Sequence, residues 1–273
     1  MLGRRVVTAL VLLAVLLPAI FWFPPVVWNL LTLGFLAVGA WEWDRLLPGG
    51  PNARAAAGSV LVCGAAALGW RAVAPWPTSA LLVICVSLVI FWAVLGPRRL
   101  QAHQARGGGW PLAALLLFGC WLALVELRAL GPGPLLSSMA VVWVADVAAY
   151  FAGRAFGRRK LAPAISPGKT WEGAFGGLLA VALAGWAAAR IPAAQTMLPA
   201  RLVDEMGLVP ALVTLVALAA LSIVGDLHES LLKREAGVKD SGWILPGHGG
   251  VLDRIDALIP TMPAALLLYL LMR

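Results

Sequence analysis

Apolar and polar positions fall in long blocks along this chain, not in the strict alternation of a half-buried strand. Apolar runs lie near residues 6–23, 26–41, 55–74, 78–96, 110–127, 134–153, 172–189, 207–226 and 255–272, separated by polar or Pro/Gly-rich breaks. Each run approaches the ~20 residues that a helix needs to cross ~30 Å of hydrocarbon. The pattern predicts an all-α polytopic integral membrane protein of about nine transmembrane helices.

Arg4 and Arg5 before the first run imitate a secretory signal, but the run continues through Phe21, Trp22 and Phe23 into Pro24 and Pro25 with no small-residue cleavage site. It reads as the first membrane helix. Composition agrees, with 61% hydrophobic and 12% charged residues, against about 25% charged in a soluble domain.

The net charge of +8 raises the question of nucleic acid, and the placement of the charges answers it. With a cytoplasmic N-terminus, 16 of the 21 Lys and Arg residues fall in loops on the cytoplasmic side and 5 on the other. That is the asymmetry of the positive-inside rule, so nucleic acid is not an expected partner. Cys63, Cys85 and Cys120 lie in apolar runs without metal-binding spacing and read as packing residues. Trp22, Trp28, Trp41 and Trp43 sit near span ends, where indole rings favour the interface.

No internal repeat or linker divides the chain. It reads as one membrane domain, with helices of scaffold character over 1–130 and a catalytic region over 131–273. The first five spans show nothing that resembles chemistry, and His103 reads as a solvated loop residue.

Polar residues gather in two segments, 146–177 and 225–256. In the second, Asp226 ends one apolar run while Asp253 and Asp256 begin the next, and carboxylates at such depth are costly unless paired, solvated or bound to a cation. On a helix continuing past Asp226, Ser230, Lys233 and Arg234 share its face. Four basic and six acidic residues give this segment a net charge of −2. A cation is therefore expected there, and oxygen ligands of this kind suit Mg²⁺, which takes one or two carboxylates and completes its shell with water and phosphate oxygens. Pro246 to Gly250 forms a turn whose glycines, Gly249 and Gly250, allow backbone amides to approach a phosphate. In the first segment, Ser166, Lys169 and Thr170 suit a helix start with a hydroxyl and an amine near phosphate. The GxxxxGK[ST] spacing of a P-loop is absent.

The 27 positions from Ser230 to Asp256 carry Ser230-x-x-Lys233-Arg234, Lys239-Asp240-x-Gly242 and Pro246-x-His248-Gly249-Gly250-x-x-Asp253-Arg254-x-Asp256. This run resembles the hallmark motif of the phosphatidate cytidylyltransferases, the CDP-diacylglycerol synthases. Asp146-x-x-x-Tyr150-x-x-Gly153-Arg154-x-x-Gly157 and Ile165 to Gly173 are also similar to that family.

The resemblance implies transfer of CMP from CTP to phosphatidic acid, with release of pyrophosphate, in phospholipid biosynthesis. It implies Asp226 and Asp253 as Mg²⁺ ligands, with Lys239, Asp240 and His248 beside them in the catalytic centre. Ser230, Lys233, Arg234, Ser166, Lys169, Thr170, Gly249, Gly250 and Arg254 are expected to contact the substrates, and Asp146 and Asp256 to support the centre. The expected setting is the inner cell membrane with the site facing the cytoplasm. The partners are CTP, phosphatidic acid, the bilayer and a second copy in a homodimer. A transporter with an intramembrane acidic ion site, Asp146 with Asp226, is the alternative from another class. The DGxxAR core of CDP-alcohol phosphotransferases is absent.

Overall fold

In hydrocarbon every backbone N–H and C=O must find its partner inside the protein, so apolar runs of this length become helices. The structure, a computed structural model, describes residues 2–48 and 52–272. Its helices are α1 (Leu2–Phe21), α2 (Pro25–Arg45), α3 (Ala53–Val73), α4 (Thr78–Ile90), α5 (Gly96–Ala102), α6 (Gly109–Leu130), α7 (Pro132–Phe156), α8 (Trp171–Ala188), α9 (Leu198–Met206), α10 (Leu208–Ala236), α11 (Leu252–Ile255) and α12 (Leu258–Leu271). A π-helical turn, Phe91–Leu95, joins α4 to α5.

Eight helical stretches among the described residues are long and apolar enough to span a membrane: α2, 54–73, Thr78–Ala102, α6, α7, α8, α10 and Leu252–Leu271. The first expected span corresponds to α1, whose described apolar part is the shorter Leu10–Phe21. The chain is an all-α polytopic membrane protein.

α6 runs through the middle of the bundle, packed on α2, α3 and α12. Two indoles fasten it to α2: Trp28 Nε1 donates to the Leu124 carbonyl at 3.2 Å, and Trp121 Nε1 to the Asn29 carbonyl at 3.0 Å. Trp28 and Trp43 are both buried in the core and not at an interface, whereas Trp22 is exposed. Cys85 and Cys120 are packing residues, but Cys63 faces outward. α7 and α8 approach closely because small residues line their seam. A Cβ on Gly173 would lie 2.8 Å from the Ala149 carbonyl, and one on Gly177 would lie 2.7 Å from that of Ala145.

Three features depart from the apolar pattern. α10 continues ten residues past Asp226 through good helix formers, and stops at Gly237 (φ 72°), where Val238 N bonds to the Lys233 carbonyl and Gly237 N to that of Arg234. α9 fills the break before it. Residues 160–170 form a hairpin of β1 (Lys160–Ala162) and β2 (Ser166–Thr170), which leads into the expected helix start at Thr170.

Arg71 pairs with Glu126 at 3.0 Å toward one end of α3 and α6. The hairpin, the end of α10 and the loop before α11 gather with the C-terminal end of α2.

Candidate active site

The last turns of α10 present Asp226, Glu229, Ser230 and Lys233 at helical spacing, so one face carries two acids, a hydroxyl and an amine. Lys233 reaches across to α11. Its Nζ donates to Asp253 Oδ1 at 2.6 Å and lies equally near Glu229 Oε2, the latter a charge contact without hydrogen-bond alignment. Asp253 Oδ2 accepts from the Ser241 amide at 3.0 Å, the Ser241 hydroxyl at 2.9 Å and the Gly250 amide at 2.8 Å. The turn before it closes through Leu245 N to the Gly249 carbonyl at 3.0 Å, with Gly249 at φ 82°, where a Cβ would lie 2.7 Å from Asp253 Oδ2. The glycines thus bring backbone against Asp253, and the Gly250 amide expected to face a phosphate is engaged by that carboxylate.

The hairpin supplies the other flank. Thr170 Oγ1 caps α8 by accepting from Gly173 N at 3.1 Å, and Glu172 accepts the amides of Arg158 and Arg159. Lys169 forms an ion pair with Asp226. Arg234 Nε donates to the Ile165 carbonyl at 3.1 Å, which ties the hairpin to α10. Of the three residues expected at this helix start, Thr170 is the cap and Lys169 the charge; Ser166 begins β2 and caps nothing.

Asp146 on α7 is exposed and shares an electrostatic neighbourhood with Asp226 and Lys169. Asp256 is close enough to Asp226, Lys169 and Lys233 to feel their charges, and its Oδ1 accepts the Ala257 amide at 2.8 Å. Lys239, Asp240 and Arg254 remain exposed at the rim. His248 is half-buried with Nδ1 enclosed and unbonded.

Two contributors escaped the sequence reading. Glu229 was legible as an acid one turn from Asp226 and one turn from Lys233. Glu42, just past the end of the second apolar run, accepts the Leu252 amide at 2.7 Å and lies 3.3 Å from the Ser241 hydroxyl oxygen. Its signal was a carboxylate one residue past the end of the 26–41 apolar run, where an acid is costly unless it is partnered.

Six carboxylates therefore adjoin one another (Glu42, Asp146, Asp226, Glu229, Asp253 and Asp256) against two ammoniums, Lys169 and Lys233. Among the described residues no three His, Cys, Asp or Glu side chains close into a ready metal cage. A cavity of about 520 Å³ lies on the other flank of α10, lined by Arg99, His103, Arg106 and Glu235. Its guanidiniums are already engaged, Arg99 by the Gly107 carbonyl at 2.7 Å and Arg106 by Glu235 at 3.4 Å.

Residues 3–272 match the model of the cytidylyltransferase family. The chain is 38% identical to the phosphatidate cytidylyltransferase of Pseudomonas aeruginosa, over 98% of this chain and 97% of that one. It is 35% identical to the enzyme of that name from Haemophilus influenzae, over 96% of each, and 46% identical to that of Brucella suis, over 67% of this chain and 64% of the other. The family match over nearly the whole length, with a relative 38% identical over 98% of the chain, means that this protein belongs to the cytidylyltransferase family.

Proposed function

We propose that this protein transfers CMP from CTP to phosphatidic acid, giving CDP-diacylglycerol and pyrophosphate at the cytoplasmic face of the inner membrane. The observation that carries the reading is the meeting of Asp226 with Lys169 and of Asp253 with Lys233 at one end of the bundle. The family and the names of its relatives supply the substrate class. The transporter alternative has no such support, because the acids gather at a helix end in place of the paired half-helices a transport site would use.

In the reaction a phosphate oxygen of phosphatidic acid attacks the α-phosphorus of CTP. The new P–O bond forms as the α–β phosphoanhydride bond breaks, and its electron pair leaves on pyrophosphate. The nucleophile is already anionic near neutral pH, so positioning and charge neutralisation suffice, with no Ser or Cys nucleophile. Lys169 and Lys233, each now matched to a carboxylate, are placed to exchange that partner for a phosphate oxygen. On this reading phosphatidic acid would arrive laterally from the bilayer and CTP from the aqueous side, with Lys239 and Arg254 exposed at the rim of the centre.

Mg²⁺ is the cation this reading assigns, because carboxylates outnumber ammoniums in the cluster; Asp226 and Asp253 now hold Lys169 and Lys233 against their oxygens, so the ion would take the place of those ammoniums. Asp226 and Asp253 would hold the ion, with Asp256 and Glu229 adding to the negative field. When bound, it would neutralise the triphosphate and polarise the α-phosphorus.

The test is purified protein with phosphatidic acid, radiolabelled CTP and Mg²⁺. Label entering the lipid fraction, lost on chelation and restored by Mg²⁺, is expected. No labelled lipid from folded protein would refute the reading.

A further inference from the structure

Glu42 has no part in the reaction just described, yet it occupies a costly position. It lies in the last turns of α2 with no exposed surface, and a carboxylate removed from water is strongly disfavoured unless hydrogen bonds hold it. What holds it is the loop between α10 and α11. Oε2 accepts the Leu252 amide at 2.7 Å and lies 3.3 Å from the Ser241 hydroxyl oxygen. The same hydroxyl lies 2.9 Å from Asp253 Oδ2, so Ser241 stands between a carboxylate of α2 and one of α11. Two glycines make the approach feasible. A Cβ on Gly242 would collide with Oε1, and one on Gly250 would lie 2.6 Å from Oε2 and 2.7 Å from Oε1. Both ends of the loop therefore close on this one side chain.

We infer that Glu42 is a positioning residue for the transfer: it docks loop 241–252 onto α2 and so fixes Asp253 and the Pro246–Gly250 turn relative to α10. The role in catalysis rests on the CMP-transfer reading. Without Glu42, Asp253 keeps its contacts with its own loop and with Lys233, but that unit loses its hydrogen bonds to α2. Misplacement of reacting groups by ~1 Å costs on the order of 10²-fold in rate, which sets the expected effect.

The test compares full-length wild type, Glu42→Ala, Glu42→Gln and Gly242→Ala in lipid nanodiscs, by hydrogen–deuterium exchange and by kcat and KM for CTP. Glu42→Ala is expected to speed exchange in peptides over 238–256 while those of α3 and α8 stay at wild-type rates, and to lower kcat about 10²-fold. Glu42→Gln keeps an oxygen for the Leu252 amide and is expected to recover most of the protection and of kcat. Gly242→Ala, which pushes on the same carboxylate from the loop side, should resemble Glu42→Ala. Wild-type exchange over 238–256 in Glu42→Ala, or Glu42→Gln as damaged as Glu42→Ala, overturns the docking role. If Glu42→Ala unfolds throughout, Gly242→Ala decides: loosening confined to 238–256 supports docking, and unchanged exchange overturns it. A wild type that transfers no CMP refutes the reaction, while the exchange comparison still judges the docking.

Discussion

Lys233, in the last turns of α10, donates to Asp253, in the first turn of α11, at 2.6 Å, with the two side chains only 14% and 6% exposed. Ser241 and Gly250 complete the shell of that carboxylate. The pair is thus both a tie between helices and the charge centre of the site.

Removing Lys233 leaves Asp253 and Glu229 without their shared cation, and stranding a buried charge costs about 3 kcal/mol or more. Lys233→Ala is expected to lower the thermal midpoint clearly and to abolish transfer. Lys233→Arg, which keeps the charge, should restore stability more than activity. Thermal unfolding in detergent alongside the CTP assay checks this, and wild-type stability in Lys233→Ala would exclude the pair as a structural tie.

Asp226 behaves differently because its pair with Lys169 is more than a quarter exposed on both sides. Such a pair contributes only about 0–1 kcal/mol. Asp226→Asn should therefore unfold within a few degrees of wild type while losing transfer that added Mg²⁺ does not recover. Retained activity at low Mg²⁺ would remove Asp226 from the metal site.

Thr170 caps α8 and is followed at once by that helix, so Thr170→Ala should cost about 1 kcal/mol. The hairpin that carries Lys169 should loosen with it. Kinetics are expected to show a raised KM for CTP with kcat less affected; an unchanged KM would separate the cap from the substrate site.

Trp243 is 70% exposed beside the site, whereas Arg71 pairs with Glu126 elsewhere in the bundle. In a protein whose native cysteines are replaced, Trp243→Cys should be labelled from the cytoplasmic side and Arg71→Cys from the opposite side. Labelling of both from one side would overturn the expected orientation.

Much of this protein was legible in the order of its residues. Apolar runs of spanning length leave backbone groups no partner but their own helix, so the all-α membrane fold follows from composition and pattern alone. The spacing Asp226, Ser230, Lys233 likewise defines one helical face through the 3.6-residue period of a helix. What tertiary structure alone decided is which acid meets which base. Lys169 stands opposite Asp226 because β1 and β2 fold back onto α10, a hairpin that three- and five-residue strands do not announce. Glu42 reaches Ser241 and Leu252 across some 200 residues of chain, and no local period records such a contact. Trp43, read as an interface residue from its place at a span end, is buried against His228 for the same reason. Hydrophobic pattern fixes which stretches enter the bilayer, whereas the rotation and neighbours of each helix depend on side-chain packing between segments distant in sequence.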